Sequence, residues 1–267
     1  MDSVRLPRTN LTVSRFTFGT ASLHHLGSAK AQAEHVAAAI KEGFTHFDTA
    51  PLYGFGSAER VLGKVLASSP ELTVTTKVGL YPPGVSEPNR ATMTLRKAAG
   101  RIWPAMSRAV ADLSVDRARA SLENSLQRLR RCHIELLLIH EPDAALLATD
   151  EWLRWVEDEM GRVHHFGIAG PQHVVQPFLQ MANPLTAVIQ TRDSLEGREA
   201  DLLSNAGLPL QLTYGYFTGA SKEMSGAKIL AGALARNPAG SVLVSTRSPA
   251  RLAQFAKMAK SQTQAPS

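Results

Sequence analysis

The stretch THFDTAPLYG, Thr45–Gly54, decides how this 267-residue chain is read. Its first half is a short run around Phe47 that closes on Asp48. Its second half is a loop rich in turn formers, Pro51 and Gly54, with Tyr53 five positions after the aspartate. A buried strand gains nothing by ending on an unpaired carboxylate, because desolvating a charge is costly. Such an ending makes sense where the strand opens onto a site.

Working outward, short apolar runs alternate with helical patterns. VRLPRTNLTVSRF predicts a hairpin turning at Arg8-Thr9-Asn10. Strands are then expected at FTFGT (16–20), THFDT (45–49) and TVTTK (73–77), with helices over 29–42 and 57–67 between them. After an irregular Pro- and Gly-containing stretch comes DRARASLENSLQRLRR, whose Leu122, Leu126 and Leu129 form one apolar stripe. The second half repeats the rhythm. Strands are expected at ELLLIH (135–140), HFGIA (165–169), TAVIQ (186–190), PLQLTY (209–214) and SVLVST (241–246). Helices are expected near 152–160, through Phe178, at 200–204, 229–236 and 250–260. Eight strand–helix units predict an α/β protein, a (β/α)8 TIM barrel with an N-terminal β-hairpin and a long loop after the third strand. An open doubly wound sheet is the alternative. It requires a glycine-rich phosphate loop after its first strand, and FGTASLHHLG lacks the GxGxxG pattern. One barrel domain over 1–260 is expected, with a flexible tail over 261–267.

Composition narrows the function classes. A single cysteine, Cys132, excludes an internal disulfide and fits a reducing compartment. MDSVRLPRTN lacks a signal-peptide core, and no run approaches the roughly 18 apolar residues of a membrane helix, so a soluble, cytoplasmic protein without membrane partners is expected. The net charge is +6, with 29 basic and 23 acidic residues. Residues 90–133 hold ten of the basic residues and three of the acidic ones, which accounts for the whole excess. That patch has Trp103 as its one aromatic. It reads as a solvated loop and helix face rather than a stacking surface for nucleic acid.

Three expected strands end on ionisable residues, Asp48, Lys77 and His140. In a βα barrel these ends share one rim. Burying all three costs several kcal/mol unless they pair. Tyr53 lies beside them. A phenol near pKa 10 holds its proton at neutral pH, and a nearby cation helps it release that proton in a transition state. Lys77 can supply the cation, Asp48 can fix Lys77, and His140 can orient a substrate oxygen. The set suits protonation of a carbonyl oxygen while hydride reaches carbon. No side chain donates hydride, so a cofactor must.

FDTAPLYG, TTKVG and LLLIHEPD, in this order, resemble the aldo-keto reductase superfamily, as do FGTASL, GRVHHFGIAG and VLVSTRSPARL. The resemblance covers nearly the whole chain. It implies the eight-fold barrel and NADPH-dependent reduction of small aldehydes or ketones, with Asp48, Tyr53, Lys77 and His140 as the catalytic tetrad and Tyr53 as proton donor. It also implies NADPH/NADP+ as cofactor, with NAD as the alternative. Gly19 and Thr20 match the first-strand contact. Asp48 lies beside the nicotinamide, Gln190 matches the glutamine on its carboxamide, and Tyr214 falls where a ring stacks on it. Ser245, Thr246, Arg247 and Arg251 resemble the segment that grips a 2′-phosphate, a task suited to guanidinium. The chain departs from the family at Ala169-Gly170, where Ser-Asn is usual, and at Phe255, where an asparagine contacts adenine.

The loop Leu80–Leu113 is expected on the catalytic rim, with Trp103 or Tyr81 walling the pocket and Arg96 or Arg101 meeting an anionic substrate. Two other functions compete. A nucleotide-sensing barrel without catalysis would fit the altered cofactor residues. A metal-dependent hydrolase would use His46, Asp48 and His140 as ligands. The adjacent pairs His24-His25 and His164-His165 are not expected to bind metal, because strand neighbours face opposite ways.

Overall fold

The computed structural model describes residues 1–83, 109–221 and 223–261. Strands β1 (Ser3–Arg5) and β2 (Thr12–Ser14) pair as an antiparallel hairpin. Its turn is set by Arg8, in left-handed backbone at φ 63°, and by the Thr9 hydroxyl, which donates to the Leu6 carbonyl at 2.8 Å. Eight parallel strands follow: β3 (Phe16–Gly19), β4 (His46–Asp48), β5 (Thr73–Val78), β8 (Ile134–His140), β9 (Val163–Gly170), β10 (Val188–Arg192), β11 (Leu212–Tyr214) and β12 (Ser241–Val244). They form a closed barrel in that order, β12 pairing back onto β3. The short strands β6 (Leu80–Tyr81) and β7 (Val110–Ala111) pair separately, antiparallel.

Strand alternation divides the side chains cleanly. On β8, Leu136 and Leu138 belong to an inner apolar cluster, while Leu137 and Ile139 belong to the outer core beneath the helices. Period two therefore carries His140 to the inner face, at the strand's end. The same count puts His46 and Asp48 of β4, and Thr75 and Lys77 of β5, inside. The inner cluster also holds Leu6, Leu11 and Val13 of the hairpin with Val188 and Leu212, so the hairpin plugs the N-terminal end of the barrel.

The helices are α1 (Ala29–Lys41), α2 (Ser57–Val65), α3 (Val115–Leu129), α4 (Thr149–Glu159), α5 (Gln172–Gln180), α6 (Asp201–Asn205), α7 (Gly226–Arg236) and α8 (Pro249–Ser261). The Ser28 and Ser225 hydroxyls cap α1 and α7 by accepting from Ala31 and Lys228 main-chain N–H groups. Leu122, Leu126 and Leu129 face inward on α3 as expected. Close approach of α2 to α3 requires Gly63, where a Cβ would stand 2.2 Å from the Arg128 carbonyl oxygen.

Two strands begin two or more residues later than their sequence ranges. β10 begins at Val188 rather than Thr186, because Asn183 accepts from the Leu185 N–H and winds Pro184–Thr186 into a 3-10 turn. β11 begins at Leu212 rather than Pro209. Its neighbour Gln211 uses its side-chain amide instead, accepting from Ile189 N–H and donating to the Pro7 and Ala187 carbonyls. The irregular stretch expected from Val78 to Leu113 is clamped at its ends by β6 and β7. Trp103, Arg96 and Arg101 lie outside the described residues, as does the expected flexible tail beyond Ser261.

The basic patch is not wholly a solvated face. Arg131 bonds Glu135 and the Leu72 carbonyl, and Arg117 lies over the buried Tyr81 ring. Arg128 donates from Nε to Glu59 at 2.6 Å, and the wholly buried Glu59 also accepts from the Thr76 hydroxyl at 2.7 Å. One carboxylate thus joins α2, α3 and β5. Replacing it by alanine takes the carboxylate away from a largely buried guanidinium that keeps its bond to the Ser125 hydroxyl, and a loss of about 3 kcal/mol is expected. Urea denaturation of Glu59→Ala, followed by tryptophan fluorescence, measures it; a loss below about 1 kcal/mol would show the network to be dispensable.

Candidate active site

The strand ends meet because their registers align them. Gly19 pairs with Asp48 across β3 and β4, and Asp48 with Thr75 across β4 and β5. Lys77 pairs with Leu138, and His140 with Ala169, which pairs in turn with Gln190. The loop after β4 then turns Tyr53 back over the rim. The Tyr53 N–H bonds the Ala50 carbonyl at 3.0 Å, and Gly54, Phe55 and Gly56 all take left-handed backbone before α2 starts. Glycine at two of those three positions makes the turn affordable in conformational terms.

Lys77 and Asp48 are almost fully buried, at 2% and 1% exposure. The ammonium donates to both Asp48 oxygens at 2.6 and 2.7 Å and to the Thr49 carbonyl at 3.0 Å. Its remaining contact is the Tyr53 hydroxyl at 3.5 Å. Burial alone would lower the Lys77 pKa, but Asp48 and Tyr53 outweigh it and raise the pKa. Gln190 donates from Nε2 to Asp48 at 2.8 Å, so the amide braces the pair from across the barrel.

Tyr53 departs from the sequence expectation in one respect. Burial raises its pKa, Lys77 draws it down, and Asp48 and Glu141 push it up again; the net shift is upward. The lysine tempers the phenol without making it more acidic than a free one, and the hydroxyl keeps its proton at neutral pH. The His140 ring stands edge-on to Tyr53 with centroids 6.1 Å apart. Burial, and then the Lys77 charge, lower the His140 pKa to about 3, so the ring is a neutral hydrogen-bonding group. Its buried Nδ1 has no hydrogen-bond partner among the described residues.

His46 does not join this group. Its two ring nitrogens bond the Thr73 and Thr75 hydroxyls at 2.7 and 2.8 Å. The ion site imagined from His46, Asp48 and His140 is thereby replaced by a threonine clamp and a lysine-bound carboxylate. Of the discounted histidines, His24 and His25 hold their rings 4.0 Å apart at a 38° tilt, His164 stacks on His133, and His165 bonds Asn10.

A cavity of about 430 Å³ opens over these residues. Gly19, Asp48, Tyr53, His140, Ala169, Gly170, Gln190, Tyr214 and Ser245 line it, together with Glu141 and Tyr216, to which the sequence reading gave no role. Thr20 is buried behind the wall, its hydroxyl bonded to the Asp48 carbonyl. A Cβ at Gly170 would meet Val174 at 2.7 Å, so that glycine serves helix packing. Ser245 donates to the Gly19 carbonyl, and the Thr246 hydroxyl accepts from Ser248 N–H. Both hydroxyls shape the loop in this structure. Arg247 is exposed and not among the cavity's lining residues. Arg251 borders a second cavity of about 600 Å³ with Phe255 and Lys257. Phe217 and Leu230 line both cavities, so the two are adjacent. Tyr216 donates to the buried Asp193 at 2.7 Å, and Arg236 grips the same carboxylate with two nitrogens. Those partners are far apart in sequence, and no local pattern announces them.

A parallel barrel with a buried lysine–aspartate pair beneath a tyrosine and a neutral histidine defines a class of rim-sited barrel proteins. The model of the aldo/keto reductase family matches residues 15–175, more than half the chain, and the chain belongs to that family. A pyridoxal 4-dehydrogenase of Microbacterium luteolum is 36% identical over 154 residues, which are 51% of this chain and 42% of that protein. A 6-dehydroglucose reductase of Novosphingobium aromaticivorans is 30% identical over 178 residues, 62% of this chain and 50% of that one. The chain thus spans about half the length of these relatives. Among solved structures, a glycerol dehydrogenase of Gluconobacter oxydans superposes with a TM-score of 0.72 at 22% identity, covering 96% of this chain and 90% of its own. An aldo-keto reductase of Klebsiella pneumoniae in complex with NADPH does so with a TM-score of 0.68 at 19% identity, covering 97% and 89%. These likenesses show the fold.

The buried histidines set an acid limit. His46 is also lowered to about 3, by burial first and then by Lys77. Both rings titrate near 6.5 once unfolded, so the unfolded chain binds the protons first as pH falls. Their contribution to stability is complete above pH ~6.5 and is lost progressively toward pH ~3. In His46→Gln, the slope of unfolding free energy against pH between about 6.5 and 4 should shrink by up to one proton relative to wild type. Urea titrations at stepped pH measure this, and an unchanged slope would mean that His46 takes up its proton as readily in the folded chain as in the unfolded one.

Proposed function

We propose that this chain is an NADPH-dependent oxidoreductase that reduces the carbonyl group of small aldehydes or ketones, with Tyr53 as general acid. The observation that carries the reading is the Lys77 ammonium, held on both Asp48 oxygens and placed 3.5 Å from a buried Tyr53 hydroxyl facing the cavity. Tyr53 gives its proton to the substrate oxygen as negative charge develops there. Lys77 stabilises the phenolate that remains, and Asp48 holds Lys77 in place. The neutral His140 orients the carbonyl by hydrogen bonding.

The residues fit a nicotinamide dinucleotide. Two adjoining cavities share Phe217 and Leu230, one reaching the Asp48–Lys77 pair and the other reaching Arg251 and Lys257. In this reading Gln190, Ala169, Gly170 and Tyr214 hold the nicotinamide end beside Asp48. Gly19, Thr20, Ser245 and Thr246 form the neck, and Arg247 and Arg251 hold the phosphate end. Such a cofactor supplies, when bound, the hydride that no side chain can provide. His46, clamped by two threonines, disfavours the hydrolase alternative.

Tyr53→Phe should lower kcat about 10³-fold or more while leaving the NADPH dissociation constant within about threefold. Absorbance at 340 nm with nitrobenzaldehyde, methylglyoxal and sugar aldehydes reads the first, and fluorescence titration the second. Near-normal kcat would remove Tyr53 from the role of acid. Tight NADPH binding by the wild type without turnover of any carbonyl would favour the nucleotide-sensing alternative. Joint replacement Arg247→Ala and Arg251→Ala should weaken NADPH binding about tenfold or more and leave NADH binding nearly unchanged. Equal weakening of both would take the 2′-phosphate away from these arginines.

A further inference from the structure

Glu141 follows His140 directly and lines the same cavity. It adopts left-handed backbone, φ 49°, immediately before Pro142. That is a conformation glycine or asparagine takes readily, and a residue preceding proline is normally extended. The surroundings impose it. Glu141 N–H donates to the Ala169 carbonyl at 2.7 Å, and two residues on, Asp143 accepts from Ala145 N–H through its side chain and from Leu147 N–H through its carbonyl. Strained, non-glycine backbone held from both sides is a feature of sites where a side chain must point in one direction.

Glu141 shares the cavity wall with the reacting groups Tyr53 and His140. The Glu141 carboxylate is exposed at the rim, yet close enough for its charge to raise the proton affinity of both the Tyr53 and Tyr214 hydroxyls. Among the described residues it has no hydrogen-bond or ion-pair partner. Asp48 is neutralised by Lys77, and His140 is uncharged. No arginine or lysine lines the cavity among the described residues. Arg192, whose charge also acts on Tyr214, stands behind Gly215 and faces Glu199 at 3.8 Å, so Glu141 is the charge on the described wall that has no opposite charge paired to it.

The geometry points to Glu141 as the specificity-determining residue of this pocket, selecting carbonyl substrates that carry a positive charge and rejecting those that carry a carboxylate. The inference rests on the carbonyl-reducing reading above and names the substrate class of that same site. A single charge at the mouth of a partly desolvated pocket discriminates ligands of opposite charge by about ten- to a hundredfold, and salt screens the effect.

Three para-substituted benzaldehydes test it in the full chain with NADPH: 4-trimethylammonio-, 4-nitro- and 4-carboxybenzaldehyde. Intrinsic reactivity differs among them, so the quantity read is the ratio of kcat/KM for the cation to that for the anion, compared between wild type and Glu141→Gln. The ratio should fall about tenfold or more in Glu141→Gln, and in wild type it should shrink between about 50 mM and 500 mM salt. A residue that merely shapes the loop would change all three substrates together and leave the ratio alone. An equal ratio in the two proteins, with 4-nitrobenzaldehyde reduced, overturns the Glu141 assignment and leaves the reductase reading standing. Absence of turnover on all three overturns the reductase reading. Calorimetric dissociation constants for the matching cationic and anionic benzyl alcohols then decide the Glu141 assignment: a charge preference abolished in Glu141→Gln upholds it, and no preference or no binding overturns it.

Discussion

The buried Lys77–Asp48 pair is the constraint around which the barrel mouth is arranged. Two desolvated charges are tolerable only with near-ideal geometry and with their remaining hydrogen-bonding capacity filled. Here the ammonium meets both carboxylate oxygens and the Thr49 carbonyl, and the carboxylate takes a further bond from Gln190. Thr20 holds the main chain of Asp48 through its N–H and its hydroxyl, both on the Asp48 carbonyl. Strands β3, β4, β5 and β10 are thereby tied at one point. The one contact left loose, Lys77 to Tyr53 at 3.5 Å, is the one the proposed chemistry would tighten.

The interior of the barrel is divided in kind. On β4 and β5 the inward positions are His46, Asp48, Thr75 and Lys77. On β8, β10 and β11 the inward positions nearest the hairpin plug are Leu136, Leu138, Val188 and Leu212, and Gln190 follows Val188 at the rim to reach Asp48. The apolar half supplies rigidity and low dielectric, and the polar half supplies the charges that low dielectric strengthens. His140, the last inward residue of β8, lies where the two halves meet, which explains both its neutrality and its access to the cavity.

Much of this was legible in the sequence because alternation on short strands is a local pattern. The eight strands, their order and the convergence of Asp48, Lys77 and His140 follow from period two and a shared rim. What was not legible depends on distant partners. Nothing near Glu59 announces Arg128 and Thr76, and nothing near Asp193 announces Tyr216 and Arg236. The late starts of β10 and β11 reflect side-chain amides of Asn183 and Gln211 standing in for main-chain pairing. The upward shift at Tyr53 was missed because burial, its largest cause, is a property of the folded chain alone. Glu141 was read as part of a motif, since a positive φ leaves no trace in composition when glycine is absent.

The small ladder formed by Leu80–Tyr81 and Val110–Ala111 closes the base of the segment between them independently of what that segment contains. With the ends already fastened, lengthening the span costs only the slow logarithmic growth of loop entropy, about 0.6 kcal/mol per doubling. The barrel is insulated from changes in that stretch, so natural variation or grafting can alter its length and sequence without disturbing the buried charges of Asp48 and Lys77.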